Sequence, residues 1–185
     1  MTNIIAHRGY AKKYPENTLL AFKHALDTGA DGIEFDVHLT KDDQLAVHHG
    51  YYLSKTSHDN EEISNLDYKS LQVKGLPLLE DVLKQLGSTT HYEIELRGYT
   101  EDFLRKVAKT IHGHGLEGDV ECTSPHSYVL TQIRKYLPNI TTGMFACPAP
   151  GWMNKPLWQA INLNNALLGD ISVIHGPLGM LDENS

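Results

Sequence analysis

The run Gly32-Ile33-Glu34-Phe35-Asp36-Val37-His38 sets two carboxylates two residues apart, a spacing that suits one shared cation. Read as a strand, it sends Glu34, Asp36 and His38 to one face and Ile33, Phe35 and Val37 to the other. Two residues of strand separate the carboxylates by roughly 6.6 Å at Cα, within reach of a single divalent ion. The competing reading is a half-exposed sheet whose acidic face meets water, because alternation also marks an ordinary half-buried strand. The same pattern returns in His91 to Leu96, where Glu93 and Glu95 share a face and Ile94 and Leu96 lie opposite. Glu34, Asp36 and one of Glu93 or Glu95 would form an all-oxygen site. Such donors suit Mg²⁺ or Ca²⁺, and the sequence has neither a cysteine pair nor HExxH to favour zinc. If these anions point inward, burial without a counter-charge is costly, so a metal or an arginine is expected beside them.

His7-Arg8-Gly9 follows the apolar run Ile4-Ile5-Ala6. An imidazole beside a guanidinium suits a phosphate ester: arginine holds the non-bridging oxygens and histidine moves the proton. His48-His49 could supply a second imidazole, and since neighbours on a strand face opposite ways, only one of the two can point into the site.

These groups need a scaffold that gathers strand ends. Strands are expected at Ile4-Ile5-Ala6, Gly32 to Val37, His91 to Leu96, Asp119 to Thr123, Thr141 to Ala146 and Leu168 to His175. Gln44 to His48 is expected to return as a hairpin partner. Helices are expected from the spacing of Leu19, Phe22 and Leu26, of Leu79, Val82, Leu83 and Leu86, and of Phe103, Leu104, Val107 and Ile111. Two more are expected from Ser127 to Leu137 and over Pro156 to Leu163. Gly50 to Gly75 reads as a loop-rich insertion, and Cys147-Pro148-Ala149-Pro150-Gly151 as a rim loop. Alternating strands and helices imply a parallel sheet with right-handed crossovers. The polar residues then fall at strand C-terminal ends, where TIM barrels and open α/β sheets build their sites. No glycine-rich phosphate loop follows any strand, which speaks against nucleotide binding.

A chain of 185 residues with 41% hydrophobic and 21% charged residues is ordinary for one globular domain. The formal charge of −7 leaves no basic stripe for nucleic acid. Cys122 and Cys147 fit neither a zinc spacing nor a disulfide framework, and no run is long enough to cross a bilayer. A cytoplasmic location is the expectation.

Together, His7-Arg8-Gly9, Pro15-Glu16-Asn17-Thr18 and Ala30-Asp31-Gly32-Ile33-Glu34-Phe35-Asp36-Val37 resemble the glycerophosphodiester phosphodiesterase family. His49 followed by Leu53-Ser54-Lys55-Thr56 is similar to its HDxxLxRT segment. Leu76-Pro77-Leu78-Leu79-Glu80 and Glu93-Ile94-Glu95-Leu96-Arg97 match two further motifs in order. The resemblance implies an α/β TIM-barrel-like fold akin to phosphatidylinositol phospholipase C, as one domain over residues 1–185 with a small insertion at about 50–76. It implies His7 and His49 as general acid and base, with Glu34, Asp36 and Glu95 as ligands of Mg²⁺ or Ca²⁺. Arg8, with Glu16 and Arg97, is implied on the substrate side. The implied reaction is hydrolysis of a glycerophosphodiester to glycerol 3-phosphate and an alcohol.

The departures from the family carry expectations of their own. Gly50 stands where an aspartate usually follows the second histidine, Arg97 replaces a lysine, and Ser124-Pro125 replaces serine-phenylalanine. Six barrel strands are readable where a complete barrel has eight over about 250 residues. The resulting open barrel is expected to carry two unpaired edges and an exposed apolar interior, with a homo-oligomer as one means of covering them. The alternatives are a non-catalytic or assembly-dependent family member, or an enzyme for lysophospholipids. The polar run Ser54 to Asn65 does not supply the apolar groove the last would need.

Overall fold

Short apolar runs bracketed by glycine, proline and capping side chains give the chain its alternating architecture. The computed structural model describes residues 3–53, 61–147 and 149–177. The strands are β1 (Ile5–His7), β2 (Gly32–Leu39), β3 (Leu45–Val47), β4 (His91–Leu96), β5 (Val120–Ser124), β6 (Thr141–Phe145) and β7 (Val173–His175). The helices are α1 (Leu19–Asp27), α2 (Tyr68–Gln72), α3 (Leu79–Leu86), α4 (Glu101–His114), α5 (Ser127–Ile133) and α6 (Lys155–Leu168). Local chemistry sets where helices begin. Thr18, Thr100 and Asn154 each accept from a backbone N–H three residues on, satisfying a donor that the helix itself cannot.

The sheet runs β1-β2-β4-β5-β6-β7, all parallel, with β3 antiparallel on β2. It is an open half-barrel of the TIM type, as expected. Among the described residues β1 and β7 each keep one unpaired edge. Ile33, Phe35 and Val37 pack with Phe22, Ile94, Val107 and Cys122 into the main core, between the sheet and its helices. The alternate residues therefore point to the concave side. Register aligns Glu34 with Glu93 and Glu121, and Asp36 with Glu95 and Thr123.

That concave side corrects one expectation, because the open interior is polar rather than apolar. Glu121 is buried, and its carboxylate lies 2.6 Å from His175 Nε2 on β7. The pair raises the His175 pKa, the hydrogen bond to Glu121 outweighing burial. Gly143, on the strand between them, makes the meeting possible. A Cβ there would stand 1.9 Å from the Glu121 oxygen and 2.5 Å from the His175 nitrogen. Gly143→Ala is expected to cost about 1–3 kcal/mol by overpacking, measured by chemical denaturation. An unchanged midpoint would show that the two side chains part freely.

Two element boundaries also differ from the sequence reading. The helix read as Pro156 to Leu163 continues to Leu168, and the strand read from Leu168 begins only at Val173. Leu167 and Leu168 look like the start of a buried strand, yet both end an exposed helical turn. The insertion is less irregular than its composition suggests: it holds a 3₁₀ turn at Ile63–Asn65 and α2. Ile63, Leu66 and Leu71 pack with Ala46 into a second, small core. Ser54, Lys55 and Thr56 of the family-like segment, Pro148 of the rim loop and the acidic tail lie outside the described residues.

Candidate active site

The site grows from the first βα turn. Arg8 (φ +58°) and Gly9 (φ +76°) both take left-handed backbone immediately after β1. Gly9 is required there, since a Cβ would fall 2.7 Å from the Ala21 carbonyl carbon of α1. The sharp turn lifts His7 to the strand end. It also directs the Arg8 backbone N–H to Glu34, 3.2 Å from its carboxylate. Asn17, likewise left-handed and fully buried, brings its side-chain amide to 3.5 Å from Asp36.

Glu34, Asp36 and Glu95 converge, each offering an oxygen within 4.8 Å of the others. Glu93 pairs with Glu34 and Glu95 with Asp36, but it is Glu95 whose oxygen comes within reach of both Glu34 and Asp36. Glu93 instead lies near His91 and Glu121. All three converging carboxylates are buried. Arg97 answers part of their charge, with Nε donating to Asp36 at 2.8 Å and Nη2 to Glu95 at 3.0 Å. Arg8 spends Nη1 on Glu16 at 3.3 Å, while its Nε stands 3.9 Å from Asp36 without a hydrogen bond. Three carboxylates thus face two guanidiniums, leaving a net negative charge in a buried place. The oxygen-only donors and that residual charge fit a hard divalent cation.

The same imbalance appears in protonation. Burial pushes the Glu34 pKa up to about 8, with Asp36 and Glu95 adding to the rise. Burial raises Glu95 as well, against the pull of Arg97. A carboxyl whose folded pKa lies above its unfolded value stabilises the fold most below the unfolded value, and that contribution is lost as pH rises through the folded one. In the metal-free protein these carboxyls are therefore expected to contribute about 2–4 kcal/mol less at pH 8 than at pH 5, while the buried neutral His38 works the other way below its unfolded value. Mg²⁺ or Ca²⁺ should restore much of the carboxyls' loss at the upper end. Denaturation curves at several pH values check this; a melting temperature indifferent to both pH and cation would contradict the charge balance described.

Two imidazoles border the carboxylates. His7 Nε2 lies 3.7 Å from Glu34, and the side chain is otherwise largely exposed. His49 senses Asp36 and Glu16 across the same space, along with Arg8 and Arg97. Partial burial holds both imidazoles below their ordinary pKa, Arg8 contributing in each case. His48 turns away, its ring nitrogen meeting the Tyr52 carbonyl at 3.1 Å. Gly50 offers no acidic group to His49; Asp36 and Glu16 are the negative charges that face it.

Three residues stand differently from the sequence reading. His38, which alternation places on the carboxylate face without a role, is buried against His48 and Tyr51, and burial lowers its pKa to about 4. Arg97, read on the substrate side, turns its guanidinium onto two carboxylates. Asn17 had been given no role, although an asparagine between a proline and a helix cap is a common left-handed residue. Ser124 is buried and accepts the His126 N–H at 3.2 Å, which closes the β5–α5 turn.

A parallel barrel-type sheet with acids and imidazoles gathered at its strand ends defines a TIM-barrel protein whose candidate site lies where that class places it. The chain belongs to the glycerophosphoryl diester phosphodiesterase family, whose sequence pattern matches residues 7–146. It is 36% identical to a Bacillus altitudinis glycerophosphodiester phosphodiesterase over 76% of this chain and 64% of that one. It is 30% identical to human lysophospholipase D GDPD1 over 61% of this chain and 42% of that protein. The chain thus spans less than two thirds of the length of these relatives. Its fold is similar to that of an Oleispira antarctica phosphodiesterase solved with the product sn-glycerol-3-phosphate. The TM-score is 0.79 at 22% identity, covering 98% of this chain and 77% of that one.

Proposed function

We propose that this chain hydrolyses glycerophosphodiesters to glycerol 3-phosphate and an alcohol, with His7 and His49 exchanging the protons. The observation that carries this reading is the convergence of Glu34, Asp36 and Glu95 beside His7 and His49 at the open end of the sheet. In this reading Glu34, Asp36 and Glu95 hold Mg²⁺ or Ca²⁺, which when bound neutralises charge developing on the phosphoryl oxygens. Arg8 binds a non-bridging oxygen of the phosphate, and Glu16 fixes the direction of its guanidinium. One imidazole takes the proton of the attacking hydroxyl, whether water or the substrate's own 2-hydroxyl. The other protonates the departing alkoxide. Both imidazoles are held below their ordinary pKa, so the base is ready near pH 7, and the acid takes up its proton with the anionic substrate.

The test is a coupled assay for glycerol 3-phosphate on a small panel of glycerophosphodiesters, with and without EDTA. Release that EDTA abolishes and Mg²⁺ or Ca²⁺ restores is the expected result. Turnover indifferent to chelation would remove the metal from the reading, and no release from any member would remove the activity.

The edges that β1 and β7 leave unpaired among the described residues favour a second reading, in which activity depends on a homo-oligomer that covers the open side. Native mass spectrometry beside the assay separates the two, because an active monomer eliminates the second.

A further inference from the structure

The concave face carries a second group of metal-type donors, and its composition differs from that of the candidate active site. His91 and Glu93 alternate onto this face from β4, and Glu93 pairs with Glu121 on β5. Each of the three offers a nitrogen or an oxygen within 4.8 Å of the others. His175 reaches the group from β7. Its Nε2 lies 2.6 Å from the Glu121 carboxylate, with Glu93 and Glu34 as the further charges that face it. Two donors held by one ion at about 2.0–2.2 Å stand no more than roughly 4.4 Å apart, so small side-chain rotations close this group around a metal. The four residues come from three strands, and no local motif announces them.

Three features beside the cluster point to an ion. Arg8 and Arg97 face the three-carboxylate group, but among the described residues no lysine or arginine pairs with Glu93 or Glu121. Gly143 leaves free, between β5 and β7, the space in which Glu121 and His175 meet. Thr123, two residues past Glu121 on the same face, is fully buried, and its hydroxyl has no hydrogen-bond partner among the described residues. Buried hydroxyls are nearly always bonded, so this one marks a place where a further polar group belongs. Imidazole nitrogens mixed with carboxylates suit Zn²⁺, whereas Mg²⁺ and Ca²⁺ favour oxygen alone. Two carboxylates and two neutral imidazoles also match its charge. We propose that His91, Glu93, Glu121 and His175 form a second metal site, for Zn²⁺, that pins the edge strand β7 to β4 and β5. This site takes no part in turnover, so it stands or falls apart from the phosphodiesterase reading.

The test uses the full chain, stripped of metal with EDTA and then freed of the chelator. Zn²⁺ is titrated in excess Mg²⁺ against a chromophoric chelator, and Co²⁺ is added separately for its visible spectrum. The expected result is one Zn²⁺ per chain that Mg²⁺ does not displace, a raised melting temperature, and a Co²⁺ spectrum of four- or five-coordinate type. His175→Gln keeps a hydrogen-bond donor for Glu121 while removing a nitrogen ligand. Combined with His91→Gln, it should weaken Zn²⁺ binding at least about tenfold. Asp36→Asn, in the other cluster, should leave Zn²⁺ binding unchanged. Folding of each variant is checked by circular dichroism. Failure of the parent to hold Zn²⁺ against Mg²⁺, or an octahedral Co²⁺ spectrum, would overturn the proposal without any variant. So would an affinity that the folded double histidine variant retains, or one that folded Asp36→Asn lowers as far.

Discussion

Alanine at His7 or at His49 is expected to lower turnover by about two to four orders of magnitude, the usual range for a lost general acid or base. The two losses should fall far short of adding, since each imidazole acts on a proton that the other's partner has already moved or awaits. His7 is largely exposed and its closest charged contact is Glu34 at 3.7 Å, so His7→Ala should leave the melting temperature nearly untouched. His49→Ala acts on a half-buried ring and serves as the check from the opposite side of the site. The measurement is steady-state kinetics beside thermal denaturation. Retention of more than a tenth of the activity in either variant would end that residue's assignment. The lowered imidazole values add a pH expectation: the limb governed by the free base should rise at lower pH than an ordinary histidine would give.

Asp36→Ala should abolish activity and destabilise the fold. Asp36 is fully buried and takes the short bonds from Arg97, with Asn17 and Arg8 near its second oxygen. Breaking a buried pair by removing one partner costs about 3–5 kcal/mol. Two effects move this case to the lower end. Arg97 retains Glu95, and Glu34 and Glu95 lose a neighbour that repels them. About 3 kcal/mol is the expected loss, read from urea denaturation. Asp36→Asn keeps the shape and one acceptor, so it should recover much of the stability while failing to recover the cation-induced rise in melting temperature. If Asp36→Asn responds to Mg²⁺ or Ca²⁺ as the parent does, Asp36 is no ligand.

The sequence made the alternation of Glu34 and Asp36 legible because a strand's period is two and needs no partner to be read. It left Glu93 and Glu95 equivalent on their own strand. The resemblance pointed to Glu95, and the physical reason is which oxygens meet across neighbouring strands, a property of the sheet rather than of the run. His38 was left without a role for the same reason: alternation gave its face correctly, but burial came from His48 and Tyr51, which return over it from β3. The resemblance put Arg97 on the substrate side, and its bonds to Asp36 and Glu95 appear only once β2 and β4 lie side by side. Glu121 and His175 are 54 positions apart, and no local pattern links them. Leu167 and Leu168 failed in the other direction, since a pair of leucines before a glycine ends a helix as readily as it starts a strand.

The strand order has a consequence for how the chain comes into being. Along β1-β2-β4-β5-β6-β7 each parallel strand joins the edge left by its predecessor, and none waits for a partner made much later. Pairing can therefore follow the direction of ribosomal synthesis, the one long closure being that from β2 (ending at Leu39) to β4 (starting at His91). His7, Glu34, Asp36, His49, Glu95 and Arg97 all lie between β1 and the residue after β4, so the charged cluster is complete once Arg97 has emerged. The later strands enlarge a sheet whose chemistry is already in place.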